Sequence, residues 1–249
     1  MSAEKTTPFI ILTSPRSGST WLVSLLNQME ATTAYGELFL PRKRSGLWDA
    51  DFAYPRFVEV REPGRHIRPT KVFKYLDSLY QQPGVVGFKL MYSHLRRYPE
   101  MLIYFMVHRV QVVHLVRKNP LDLLISRAVK RKLQQAHRLA IESPVEGVQV
   151  ELNPATLIRK LQIKQRKMDR ARKLLRLSGL PQIEVGYEEL RTDPSVFPGL
   201  CRFLSISYDG KMPESKFQKV RQESQMQVLQ NYGEVRQVLE GTRYLVYLE

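Results

Sequence analysis

A short loop near the amino terminus gathers the residues best suited to chemistry on a phosphate. Phe9-Ile10-Ile11-Leu12-Thr13 is an apolar, β-type run that empties into Ser14-Pro15-Arg16-Ser17-Gly18-Ser19-Thr20, and Trp21-Leu22 then open a helical pattern. A strand, a turn rich in hydroxyls and glycine, and a helix amino terminus in that order present backbone N–H groups and the positive end of a helix dipole to an anion. In the register of an ATP-type loop, GxxxxGK[ST], Gly18 is the second glycine and Thr20 the hydroxyl residue, but Thr13 replaces the first glycine and Ser19 the lysine. The loop therefore predicts phosphate binding without the Lys and Mg²⁺ partnership of an NTPase. Its cation is Arg16, ahead of the glycine.

A second constellation lies in Val112-Val113-His114-Leu115-Val116-Arg117-Lys118-Asn119-Pro120, continued by Leu121 to Arg127. Arg117 falls where a strand ends and Ser126 on the helix that follows. Both are expected at the carboxyl edge of a parallel sheet, where such folds bind their ligands.

PRSGSTWL resembles the 5′-phosphosulfate loop of sulfotransferases that use 3′-phosphoadenosine-5′-phosphosulfate (PAPS), in which a Lys or Arg precedes the loop glycine. Arg117 and Ser126 are similar to that family's 3′-phosphate site. Their spacing of nine and the two-cation Arg117-Lys118-Asn119 sequence resemble the trehalose-type and related bacterial members more than the cytosolic aryl and steroid enzymes, and either Arg117 or Lys118 is the closer contact. Tyr187-Glu188-Glu189-Leu190, Asp193-Pro194 and Phe203-Leu204 resemble the family's YEDL…DP…FL segment, which is mainly structural. Asn231-Tyr232-Gly233-Glu234-Val235 and Gly241-Thr242 resemble carboxyl-terminal elements of the bacterial members. The KGxxGxWK loop that closes over the nucleotide in cytosolic enzymes is absent; Gly241-Thr242-Arg243 is its candidate replacement, and Trp21 either packs between loop and core or touches the base.

The resemblance implies a donor, PAPS, a product, PAP, and no metal. Pro15, Arg16, Ser17, Gly18, Ser19, Thr20, Trp21, Arg117, Ser126, Gly241 and Thr242 become the expected donor contacts. Sulfuryl transfer needs an acceptor hydroxyl in line with sulfur, charge relief on the departing phosphate oxygen and removal of the hydroxyl proton. Arg16 can supply the charge relief. For the base, Tyr35-Gly36-Glu37-Leu38-Phe39 resembles the segment after the first helix of trehalose-type enzymes in which a glutamate is read as general base, so Glu37 is the first candidate. His94 is the second, and Lys89, in Phe88-Lys89-Leu90-Met91-Tyr92, is either functional or a packing and ion-pairing residue. His66, His94, His108, His114 and His137 are scattered, with no metal-ligand spacing.

Four apolar runs must position these groups: Phe9–Thr13, Val85–Leu90, Gln111–Val116 and Gln182–Val185 read as buried parallel strands. Thr20–Met29, about Arg97–Val107, Pro120–Leu139 and Pro154–Leu177 read as helices, the last with Asn153 as candidate N-cap, Pro154 at its first position and Gly179 as its stop. The prediction is an α/β fold, a P-loop-type parallel sheet flanked by helices, in one sulfotransferase domain over residues 1–249. Tyr35 to Gln82, rich in Pro, Gly, Arg and aromatics, reads as a long substrate-facing loop.

Composition bounds the partners. The 249 residues carry 39 Lys and Arg against 24 Asp and Glu, a formal charge of +15, and Arg117–Arg138 with Ala155–Ser178 account for +14 of it. Such clusters suit an anionic acceptor or a membrane surface, or are solvated helix faces. A basic nucleic-acid-binding module and a P-loop small-molecule kinase are the alternatives; no recognition motif supports the first, and the missing lysine argues against the second. A carbohydrate or glycolipid hydroxyl is the expected acceptor, and no nucleic acid is expected as partner. A single cysteine, Cys201, and an amino-terminal apolar run of only four residues predict a cytoplasmic protein.

Overall fold

The computed structural model describes residues 6–40, 54–60, 68–138, 147–214 and 224–248. Five strands, β1 (Thr7–Thr13), β2 (Thr32–Tyr35), β3 (Val85–Met91), β4 (Gln111–Val116) and β5 (Gln182–Gly186), form one sheet in the order β2-β3-β1-β4-β5. Every pairing is parallel. The helices are α1 (Ser19–Leu26), α2 (Phe57–Val60), α3 (Arg68–Leu79), α4 (Tyr92–Arg97), α5 (Glu100–Val107), α6 (Pro120–Arg138), α7 (Pro154–Ser178), α8 (Tyr187–Thr192), α9 (Val196–Leu204), α10 (Gln225–Val228) and α11 (Tyr232–Leu239). This is the predicted α/β class.

The chain divides into two compact units, one of Met1–Val116 with Ala171–Phe217, the other of Arg117–Arg170 with Gln218–Glu249. The first holds the whole sheet. Because parallel strands are covered on both faces, their side chains alternate between two cores rather than between core and water. Phe9 and Ile11 of β1 join Leu22 and Leu25 of α1 with Phe197 and Leu200 of α9. Ile10 and Leu12 join Leu76 and Leu79 of α3 and Phe105 of α5. The second unit packs Leu121 and Ile125 of α6, Leu157 and Leu161 of α7, and Val235 and Leu239 of α11 into a core of its own.

Three expectations are corrected. The helix read over about Arg97–Val107 is α5, which starts only at Glu100 with Pro99 as its N-cap, and a separate short helix, α4, precedes it because Pro99 cannot continue it. The stretch read as a loop from Tyr35 to Gln82 contains α2 and α3; its residues 41–53 and 61–67 lie outside the described residues. In α3, Val72, Leu76 and Leu79 recur at helical spacing and are fully buried, a face obscured in the sequence by flanking Lys, Tyr and Pro. Finally, β2 is an unpredicted strand. Its four residues, Thr32-Thr33-Ala34-Tyr35, are too few and too polar to read as a buried run, and it forms at the sheet edge by pairing Thr32–Tyr35 with Val85–Phe88.

Helix α7 ends as the sequence predicts, with Gly179 in the left-handed region at φ 64°. Among the described residues no helix is long and apolar enough to cross a membrane.

Candidate active site

The loop after β1 is anchored through its hydroxyls. The Thr13 hydroxyl donates to the Leu115 carbonyl of β4 at 2.7 Å, and the Ser17 hydroxyl donates to the Ser14 carbonyl at 2.6 Å. The two hydroxyls also contact each other. Ser17 is 0% exposed, so its side chain braces the turn, and any contribution to an anion would come from its backbone. Arg16 and Gly18 take left-handed backbones, φ 74° and 83°. For arginine this conformation costs about 1 kcal/mol or more, and it recurs where a loop is shaped for binding. Gly18 caps α1 and, as a glycine, brings no side-chain cap to its first turn. A Cβ on Gly18 would lie 2.1 Å from Cδ2 of Tyr187, which packs directly on the loop. Trp21 meets the same ring edge-on at 5.9 Å, so Trp21 packs against the core beside the loop.

Edge strand β2 delivers Glu37. Pairing of Tyr35 with Phe88 brings the next residues beside Lys89, whose amide donates to the Gly36 carbonyl at 3.2 Å. Asn27, just after α1, clamps β2 by exchanging hydrogen bonds of 2.8 and 2.6 Å with the backbone of Ala34. Within Tyr35–Phe39, Tyr35, Leu38 and Phe39 are buried, Phe39 among Phe57, Tyr75, Phe88 and Tyr98. Glu37 is left at the surface of this anchor. One carboxylate oxygen lies 3.2 Å from Lys89 Nζ and the other 3.8 Å from His94 Nε2, with the Glu37 side chain 26% exposed and both partners buried. Lys89 alternates onto the α1 side of β3 and also donates to the Thr20 hydroxyl at 3.4 Å. His94 Nδ1 accepts from the Met91 amide at 3.5 Å, which leaves Nε2 facing Glu37.

Glu37, Lys89, His94 and Thr20 thus form one connected cluster. The arrangement joins a carboxylate able to accept a proton to a loop able to hold an anion, through one ammonium. The sequence carried a signal for Lys89, a lone charge in an otherwise apolar strand, but its bridging position depends on β2.

In the second unit, Arg117 directly follows β4, and its guanidinium donates to Asp122 Oδ2 at 2.7 Å. Asp122 accepts from Gln225 through its other oxygen at 2.9 Å, and its amide donates to Asn119 Oδ1 at 3.0 Å. Arg117 is thereby held at the start of α6 while Lys118 is exposed and Ser126 half-buried. Thr242 does not offer an idle hydroxyl: it donates to the Leu239 carbonyl at 2.7 Å and accepts from the Tyr244 amide at 3.2 Å, closing the end of α11 after Gly241. Asn231 exchanges bonds of 2.9 and 3.1 Å with the backbone of Leu152, so the Asn-Tyr motif is a brace.

Residues 6–239 match the sulfotransferase domain family. The chain belongs to that family. Sulfuryl transfer is accordingly its general chemistry. Among solved structures, a sulfotransferase from Alicyclobacillus acidocaldarius is similar at 14% identity, covering 88% of this chain and 87% of that one, with a TM-score of 0.42. No curated protein matches. In this sulfotransferase the buried Tyr187 ring of the YEEL segment fills the space beside Gly18.

Two other histidines lie apart from this cluster. His108 stacks on Tyr104 at the end of α5, ring centroids 4.1 Å apart. His114, inside β4, is buried between Tyr92 and Glu184, and burial lowers its pKa below the usual 6.5. Glu184 is also held below its usual 4.5, chiefly by hydrogen bonds from Arg172. Both folded-state values lie below the unfolded ones, so the unfolded chain takes up protons first and stability falls with falling pH. Stability is expected to be flat above about pH 7 and to decline below about pH 6.5, by at most about 1.4 kcal/mol per pH unit from His114. Urea unfolding at pH 7.5, 6.5 and 5.5 measures it. His114→Gln should flatten the decline between pH 6.5 and 5.5, and an unchanged slope would refute the assignment.

Proposed function

We propose that the chain is a PAPS-dependent sulfotransferase of the trehalose type, acting on a hydroxyl of a carbohydrate or glycolipid. The observation that supports it most is the link from Glu37 through Lys89 to Thr20, which puts a candidate base and a second cation beside the phosphate loop. The loop fits the 5′-phosphosulfate end of the donor: it leads into the amino terminus of α1 with glycine as N-cap, Arg16 is the loop's cation, and Tyr187 leaves no room for a side chain at Gly18. Arg117 and Ser126 suit the 3′-phosphate, with Asp122 fixing the guanidinium. Pro15, which has no N–H, shapes the loop, and Ser17 and Ser19 offer backbone N–H groups. Gly241 and Thr242 shape the turn after α11.

When bound, the donor supplies the sulfuryl group and its phosphate leaving group. Glu37 accepts the acceptor's hydroxyl proton as the new oxygen–sulfur bond forms in line with the one that breaks. Arg16 balances the charge gathering on the departing phosphate oxygen. Lys89 orients Glu37 and adds positive charge beside Thr20. A P-loop kinase is disfavoured, because Ser19 stands where its lysine would be. The buried Cys201, its thiol pushed up to about 11, is inert, which suits the cytoplasmic location in this reading.

The deciding experiment compares binding of PAP, ATP and an oligonucleotide, and follows transfer from labelled PAPS to fractionated cell extracts. PAP should bind tightest, and turnover should persist after exhaustive EDTA treatment. Activity restored only by Mg²⁺ would favour the kinase. Arg117→Ala is expected to cost about 1.5–3 kcal/mol in PAP affinity, as the loss of a charge-assisted hydrogen bond does, with 5′-AMP barely affected. Equal weakening of both nucleotides would remove Arg117 from the 3′-phosphate site.

A further inference from the structure

The corner between β3 and α4 carries two of Glu37's partners, Lys89 and His94, and between them Tyr92 points the other way. Its hydroxyl lies 2.7 Å from His114 Nε2. His114 Nδ1 lies 3.0 Å from Glu184 Oε2, its cross-strand partner in the register of β4 and β5. Glu184 in turn accepts two bonds from Arg172 of α7, from Nε at 2.8 Å and from Nη2 at 2.7 Å. The chain runs from half-exposed Arg172 and Glu184 to a His114 side chain that is 2% exposed.

Every link has a direction. The Glu184 carboxylate can only accept, so Nδ1 of His114 carries the proton and Nε2 offers a lone pair. Tyr92 must therefore donate, and burial holds its phenol protonated. Arg172, Glu184, His114 and Tyr92 form a one-way series in which a single tautomer satisfies each group. None of them contacts Glu37 among the hydrogen bonds and ion pairs described above. What they hold is Tyr92, the first residue of α4, two residues before His94 and three after Lys89.

We propose that Tyr92, His114, Glu184 and Arg172 are positioning residues for sulfuryl transfer, a buried relay that fixes the β3–α4 corner so that Lys89 and His94 meet the Glu37 carboxylate together. The inference rests on the reading of Glu37 as the acceptor-side base. Without the anchor, α4 could rotate about the end of β3 while the loop after β1, held from β4 and Tyr187, stays in place. The relay should therefore affect the acceptor half of the reaction and spare donor binding.

Tyr92→Phe removes only the hydroxyl and tests this directly. Turnover is expected to fall on the order of tenfold, the size of one interaction between coupled groups, with PAP affinity unchanged. In a His94→Ala background the same substitution should cost turnover less than it does in the wild type, since one of the two groups it positions is gone. Titration of the His94 ring followed by NMR should shift in Tyr92→Phe even in the absence of substrate. That readout separates the two ideas: normal turnover in Glu37→Gln would sink the base assignment, while an unmoved His94 titration would sink the relay. A Tyr92→Phe variant that loses thermal stability yet keeps wild-type turnover and an unmoved His94 ring would show a structural brace alone and overturn the proposal.

Discussion

Glu37→Gln is expected to lower turnover about 10²–10⁴-fold, the usual contribution of a positioned general base, while the Kd for PAP stays near wild type. The substitution keeps the length and hydrogen-bonding reach of the side chain and removes its capacity to take a proton. Its neighbours make the split between turnover and binding sharp. Leu38 and Phe39 remain buried, and the Gly36 carbonyl still accepts from Lys89, so the backbone that presents residue 37 is unchanged. Lys89 loses its carboxylate at 3.2 Å but keeps the Thr20 hydroxyl at 3.4 Å, so the loop retains its neighbouring cation. Steady-state turnover with labelled PAPS and calorimetric titration with PAP measure the two quantities separately. Normal turnover in Glu37→Gln, together with an inactive His94→Ala, would make His94 the base. A parallel loss of PAP affinity would instead place Glu37 in the donor site.

Gly18→Ala should abolish donor binding and cost on the order of 3 kcal/mol of stability, the combined scale of a left-handed non-glycine residue and an overpacked core contact. Two independent effects act at this position. The backbone sits at φ 83°, and the added methyl would fall 2.1 and 2.3 Å from two ring carbons of Tyr187. Tyr187 cannot swing aside freely, because its ring lies in the core with Trp21, Leu22 and Phe197. Relief must come from the loop, and moving the loop dismantles the first turn of α1. Pairing Gly18→Ala with Tyr187→Ala separates the causes: removing the ring should restore part of the lost PAP affinity, leaving the backbone term. If Gly18→Ala binds PAP as well as wild type does, the loop is not the donor site.

These two positions differ in how legible they were. Gly18 stands out in the sequence, because a strand, a turn and a helix start are written in consecutive residues and a phosphate loop is a local structure. The partner that makes its lack of a side chain necessary, Tyr187, lies far along the chain and can be found only in three dimensions. Glu37 was named on the short segment around it, but its setting depended on β2. Nothing in Thr32–Tyr35 announces a strand: four residues with two threonines form one only because β3 offers an unpaired edge.

By itself the sequence determined what is local or periodic: the apolar strands β1, β3, β4 and β5, the long helices α6 and α7, the loop with Arg16 and Gly18, and the step from β4 to Arg117. Burial on both faces of a parallel sheet writes itself as continuous apolar runs, and a turn to a helix writes itself as glycine and hydroxyls. Only the tertiary structure decided which charges meet. Lys89 and His94 come from β3 and the helix after it, Glu37 from the segment that follows the neighbouring strand β2, and Arg172, Glu184, His114 and Tyr92 come from four elements. Such contacts are set by strand order and register, and side-chain identity along one segment carries no record of which strand will lie beside it.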